Sequence, residues 1–166
     1  MARWVPARAD VIGELADEIL HNYRNGRAVV GVDGVPDAGQ SAFADELADA
    51  LRERDMVSYR ATANARRDPD GEIVRSETIA PFRAGEGDFG DGGSAILVLD
   101  GTRLHGAELR SAFASTVWLS TPGREAGDVD PEQSAYERSS APRIKATANI
   151  DATDPEHPRR TFADSC

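Results

Sequence analysis

One stretch limits what this chain can fold into more than any other: residues 28–54, "AVVGVDGVPDAGQSAFADELADALRER". It opens on a short β-rich apolar run over 28–33, the kind buried in a parallel sheet. It closes over 41–54, where Phe43, Leu47, Ala50 and Leu51 recur on one face of a helix about four turns long. Gly34 and Gly39 bracket a tight loop between them. Their spacing is that of a G-x-x-x-x-G-K-[ST] phosphate-binding loop, with Gln40 where the lysine would stand.

Such a loop holds an anion because successive backbone N–H groups curl around it at the start of a helix, where the helix dipole adds positive potential. The candidate phosphate-binding set is Gly34, Asp37, Ala38, Gly39, Gln40, Ser41 and Ala42, and Ser41 can offer its hydroxyl to Mg²⁺ or cap the helix. Three residues weaken it. Gln40 donates hydrogen bonds but has no charge, Pro36 has no N–H, and Asp37 puts a negative charge inside the loop. A charge-assisted hydrogen bond contributes ~1.5–3 kcal/mol. Losing one and adding an acid therefore lowers affinity by roughly a hundredfold or more. Lys145 is the only lysine in the chain, so no lysine nearby in sequence replaces the missing one. Two readings of the loop stay open: residual nucleotide binding, and a strand-to-helix turn whose glycines serve only the backbone.

The rest of the chain alternates helix and strand. Val11, Ile12, Leu15, Ile19 and Leu20 predict an amphipathic helix over 9–23. Strands are predicted over 56–62, 95–101, 115–121 and 144–151, and helices over 106–113 and 131–140. Residues 63–93 read as a long glycine-rich, flexible loop, with some local structure in "IVRSETIAPF", and 156–166 as a frayed tail. This order predicts one α/β domain over 1–166, with a mainly parallel central sheet and helices on both faces. Ligands of such sheets bind beyond the carboxyl ends of the strands. The loop at 34–42 and Asp100, closing "AILVLD", both fall there. An acid at that point either holds Mg²⁺, through water, or marks the chain's return to solvent. Arg66, Arg67 and Arg75 in the long loop either reach a phosphate or solubilise the surface. His21, His105 and His157 read as surface residues, and no Cys/His cluster resembles a zinc site.

With 19 basic and 29 acidic residues the net charge is −10, which repels phosphate backbones and anionic membranes alike. No nucleic-acid or membrane partner is expected. The single cysteine, Cys166, forms no intramolecular disulfide. There is no signal-like apolar segment, and a cytoplasmic protein is expected.

"RAVVGVDGVPDAGQSAFADELADALRERD" resembles the opening of the uridine kinase-like P-loop proteins, in the form found in actinobacteria. The resemblance continues in "AILVLDGTRLHGAELRSAFASTVWLSTP" and, more weakly, in "SAYERSSAPRIKATANIDATDPEHP". It implies a three-layer P-loop NTPase fold, ATP or GTP with Mg²⁺, and a nucleoside or similar small hydroxyl acceptor. It implies that Gly34, Gly39 and Ser41 carry the nucleotide phosphates, and that Asp100 lies near metal and acceptor as the catalytic candidate. Ser41 and Asp100 are the implied metal residues. The chain departs from the family at three places. Gln40 replaces the lysine, "YRATANARR" stands where the family has an acidic D-D-F stretch, and "PGREAGDVDPEQ" replaces an arginine-rich lid, with Arg124 its sole basic residue. The resulting expectation is a degenerate member that binds a nucleotide or small phosphorylated molecule weakly and has little or no phosphotransferase activity. Two alternatives are an active nucleoside-type kinase using Gln40, and a non-catalytic interaction or regulatory module, as a homo-oligomer or with another protein.

Overall fold

The computed structural model describes residues 5–90, 92–124 and 130–162. Six strands form one sheet in the order β2-β3-β1-β4-β5-β6. They are β1 (Arg27–Gly34), β2 (Ser58–Thr62), β3 (Ala95–Asp100), β4 (Ser115–Ser120), β5 (Ala148–Asp151) and β6 (Arg159–Thr161). The first five run parallel and β6 returns antiparallel to β5. Helices cover both faces, so the architecture is the three-layer α/β arrangement expected from the alternation.

β1 lies between β3 and β4 and is buried from Ala28 to Gly34. Alternate side chains of a strand point to opposite faces, and each face receives a different cover. Val30 and Val32, with Ile96, Val98, Val117, Leu119 and Ile150, pack beneath α1 (Arg8–Tyr23) and α2 (Gln40–Arg52). The apolar positions read from the sequence are those buried: Val11, Ile12, Leu15, Ile19 and Leu20 in α1, and Phe43, Leu47, Ala50 and Leu51 in α2. On the other face Val29, Leu97 and Leu99 meet Val74, Ile79, Phe82, Leu104 and Leu109.

That second cover comes largely from the segment expected to be a loop, and here the expectation is corrected. Within 63–93 a helical run spans 72–84: α3 (Glu72–Val74), a π-helical turn (Arg75–Ile79) and α4 (Ala80–Ala84). The extra residue of the π turn puts Val74, Ile79 and Phe82 on one buried side. Gly71 precedes it with φ +71°, and a Cβ there would lie 2.2 Å from Leu109 Cγ, so close contact between the two segments excludes any larger residue. Arg27, at the start of β1, donates to the carbonyls of Phe82, Phe89 and Gly93, with its guanidinium 4.6 Å from the Phe82 ring centre.

Two other expectations change. Pro142 begins a further helical turn, α7 (Pro142–Lys145), so the strand expected over 144–151 is confined to β5. The expected tail contains β6, with Asn149 opposite Thr161 and Asp151 opposite Arg159. Residues 163–166, with Cys166, lie outside the described residues. The helix expected over 106–113 is the single turn α5 (Ala107–Arg110), and α6 (Pro131–Ser140) matches its expected span. Among the described residues no helix is long and apolar enough to cross a membrane.

Candidate functional site

The loop between β1 and α2 sits at the carboxyl end of the central strand, and its backbone is divided between two tasks. Gly34 N–H donates to Asp33 Oδ1 at 2.8 Å, Val35 N–H to the Leu119 carbonyl at 2.9 Å, and Ala38 N–H to the Val35 carbonyl at 3.2 Å. These bonds fix the turn. Gly34 is required by contact, because a Cβ there would stand 2.6 Å from the Leu119 carbonyl oxygen. Asp37 and Gly39 take left-handed conformations, φ +60° and +85°. Among the described residues the N–H groups of Asp37, Gly39, Gln40, Ser41 and Ala42 have no intramolecular acceptor. Five donors at a helix start suit an anion.

The Gln40 side chain does not extend to such an anion. It is buried, and its Nε2 donates to the Val35 carbonyl at 2.8 Å, inside the loop. The residue that breaks the lysine pattern therefore braces the turn from within. On the outer side Arg124 Nη1 donates to the Asp37 carbonyl at 3.2 Å, while Ser41 is exposed. Residues 125–129, part of the stretch standing for the lid, lie outside the described residues. A groove of about 1080 Å³ opens beside Val35, Pro36 and Asp37, with Trp118, Arg138 and Asn149 among its walls.

Arg60 of β2 lies between Asp100 and the backbone of Ser41. Arg60 Nη2 donates to Asp100 Oδ1 at 2.8 Å and lies 3.5 Å from the Ser41 carbonyl oxygen. Arg60 Nε donates to Asp45 Oδ1 at 2.8 Å, and Nη1 to the carbonyls of Ala61 and Val98. Thr62 Oγ1 gives Asp100 Oδ1 a second donor at 2.8 Å. The Asp100 side chain is 5% exposed and that of Arg60 18%. A divalent cation needs several oxygen ligands free of competing positive charge. These residues do not fit one, and no group of three His, Cys, Asp or Glu side chains among the described residues is placed to hold a metal. Arg66, Arg67 and Arg75 are exposed.

A third cluster escaped the sequence reading. Asp33, fully buried, accepts from His105 Nδ1 at 2.8 Å, from the N–H groups of Arg103 and His105 at 3.0 and 3.3 Å, and from the Tyr136 hydroxyl. With Gly34 N–H this makes five donors on one carboxylate. His105 is 1% exposed, not a surface residue as expected; its Nδ1 faces Asp33 and its Nε2 lies 3.0 Å from the Thr116 hydroxyl oxygen. Burial, and then the Asp33 charge, push the Tyr136 hydroxyl far above its ordinary range, so it stays protonated. Trp118 packs edge-on to His105 and at a tilt to Tyr136. The cluster joins the end of β1, the turn before α5, and α6 immediately beneath the loop. The only sign in the sequence was an acid at the end of an otherwise apolar strand. His21 and His157 are exposed, as expected.

A parallel sheet with β1 at its centre, a glycine loop at that strand's carboxyl end and helices on both faces define the P-loop kinase fold. A solved chain from Bacillus stearothermophilus named as a possible uridine kinase superposes with a TM-score of 0.66 at 17% identity, covering 86% of this chain and 98% of that one. A chain from Silicibacter sp. TM1040 named as a candidate fructose transport system kinase gives a TM-score of 0.45 at 15% identity, covering 67% and 75%. The first likeness, at 17% identity, is one of fold. No protein-family model matches the sequence, and no curated protein matches it.

Proposed function

We propose that this chain is a degenerate uridine kinase-like P-loop protein, a weak binder of a nucleotide or other small phosphorylated molecule with little or no phosphotransferase activity. The observation that carries this reading is the state of the loop. Gln40 is turned inward onto the Val35 carbonyl, while the N–H groups of Asp37, Gly39, Gln40, Ser41 and Ala42 remain unused among the described residues. The donors that hold a phosphate persist, and the charge that would neutralise a transferring phosphoryl group is absent from position 40. Phosphoryl transfer depends almost wholly on positioning and charge neutralisation, and the pairing of Asp100 with Arg60 further supports its loss.

Calorimetric titration with Mg-ATP, Mg-GTP and Mg-UTP, alongside an assay of nucleotide turnover, tests this. The expected outcome is weak binding that Ser41→Ala diminishes, with turnover at background. Absence of heat at roughly 1 mM nucleotide, where binding is worth about −4 kcal/mol, would reduce the loop to a turn. Turnover above background that Gln40→Ala abolishes would establish an active kinase instead. A partner-binding reading has one observation in its favour: Ile144 in α7 and Phe162 after β6 are 78% and 77% exposed. Sedimentation analysis checks it, a stable oligomer being the outcome that favours it.

A further inference from the structure

We propose that Arg60 is a tethered cation filling the oxygen-lined site between α2, β2 and β3, so that the chain binds no divalent metal at Asp100. Five oxygens surround the guanidinium: Oδ1 of Asp45 and of Asp100, and the carbonyls of Ser41, Ala61 and Val98, while Thr62 donates to the same Asp100 oxygen. Carboxylate and carbonyl oxygens are the hard donors that a magnesium or manganese ion selects. Here a side chain of the same protein has claimed them. Every N–H direction of the guanidinium is used, since Nη1 also meets the Ala61 and Val98 carbonyls, so the group is held rather than free to swing aside. An arginine stays charged at all physiological pH values. The site is thus neutralised permanently, independent of metal supply.

A stray surface ion pair does not explain the arrangement. Asp100 is almost wholly buried, and a buried carboxylate stripped of its cation is strongly destabilising. Removing Arg60 should therefore turn this site into one that seeks a replacement cation. The consequence for the ligand, binding without Mg²⁺, rests on the anion-binding reading above. The metal site itself does not, and it is tested without any nucleotide.

The experiment compares the full-length protein with Arg60→Met and with Arg60→Met/Asp100→Asn, titrating each with MnCl₂ while NaCl holds ionic strength constant. Manganese binding is read by electron paramagnetic resonance and by thermal unfolding. Expected are no binding at this site in the unaltered protein, a melting temperature in Arg60→Met that rises with each tenfold step in Mn²⁺, and loss of that rise in the double variant. Should Arg60→Met fail to fold, paramagnetic broadening of the Asp100 and Thr62 amide signals in the unaltered protein decides the question. No broadening supports the proposal. Broadening there, Mn²⁺ binding by the unaltered protein that Asp100→Asn abolishes, or a folded Arg60→Met that gains no Mn²⁺ response would each overturn it. Failure of the nucleotide titrations, with these outcomes intact, would overturn the ligand reading alone.

Discussion

Replacing Asp33 by alanine is expected to lower stability by about 4 kcal/mol, because several buried donors lose their acceptor at once. Asp33 accepts five donors in a region closed to water. Alanine removes the acceptor and leaves Gly34 N–H, Arg103 N–H, His105 and the Tyr136 hydroxyl searching for partners, at about 1–3 kcal/mol for each group left unsatisfied. Relaxation and water entry recover part of that sum. For a chain of this length each kcal/mol shifts the melting temperature by about 2–4 °C, so a fall of roughly 10 °C is expected. Tyr136→Phe removes one donor and leaves the carboxylate four others, and should cost about 1 kcal/mol. Urea unfolding of the two variants measures the contrast. Equal and small losses would mean that water already reaches the cluster.

The second large effect concerns affinity. Gln40→Lys should tighten binding of pyrophosphate and nucleoside triphosphates by about ten- to a hundredfold, because a charge-assisted hydrogen bond contributes ~1.5–3 kcal/mol and 1.4 kcal/mol is a factor of ten. The substitution also releases the Val35 carbonyl from Gln40 Nε2, and Ala38 N–H keeps that carbonyl partnered. Gln40→Leu loses the same bond without gaining charge and is expected to bind no better than the unaltered protein. Titration at two salt concentrations separates the contributions, since the gain in the lysine variant should shrink as salt screens it. An unchanged affinity would mean that the loop's free N–H groups do not cradle phosphate.

How far the sequence revealed this molecule depended on where the determining contacts lie. α1 and α2 were legible because a helix advertises its buried face through local spacing, and Leu15, Ile19, Phe43 and Leu47 obey it. The helical run over 72–84 was obscured because its π turn spaces Val74, Ile79 and Phe82 irregularly and glycines flank it on both sides. "RRT" carries no strand pattern, and β6 exists because β5 offers it an edge. At the loop, the identity of Gln40 was visible but its choice of Val35 as partner was not. Arg60 is a charged residue in a short strand, and nothing local ties it to Asp45 and Asp100, 15 and 40 positions away. His105 was misread for the same reason: its partner Asp33 is 72 positions distant.

The grip of Arg27 on the Phe82, Phe89 and Gly93 carbonyls has an architectural consequence. It makes the region after β2 a cassette, latched at its far end to the first residue of the central strand. Chain inserted between Asn64 and Asp70 would leave that latch fastened, and each doubling of the insert would cost only ~0.6 kcal/mol in closure entropy. The cover over the β2 side of the sheet can therefore grow or shrink while the glycine loop on β1 keeps its shape. In this scaffold, the cover beside β2 and the turn at the end of β1 are free to vary separately.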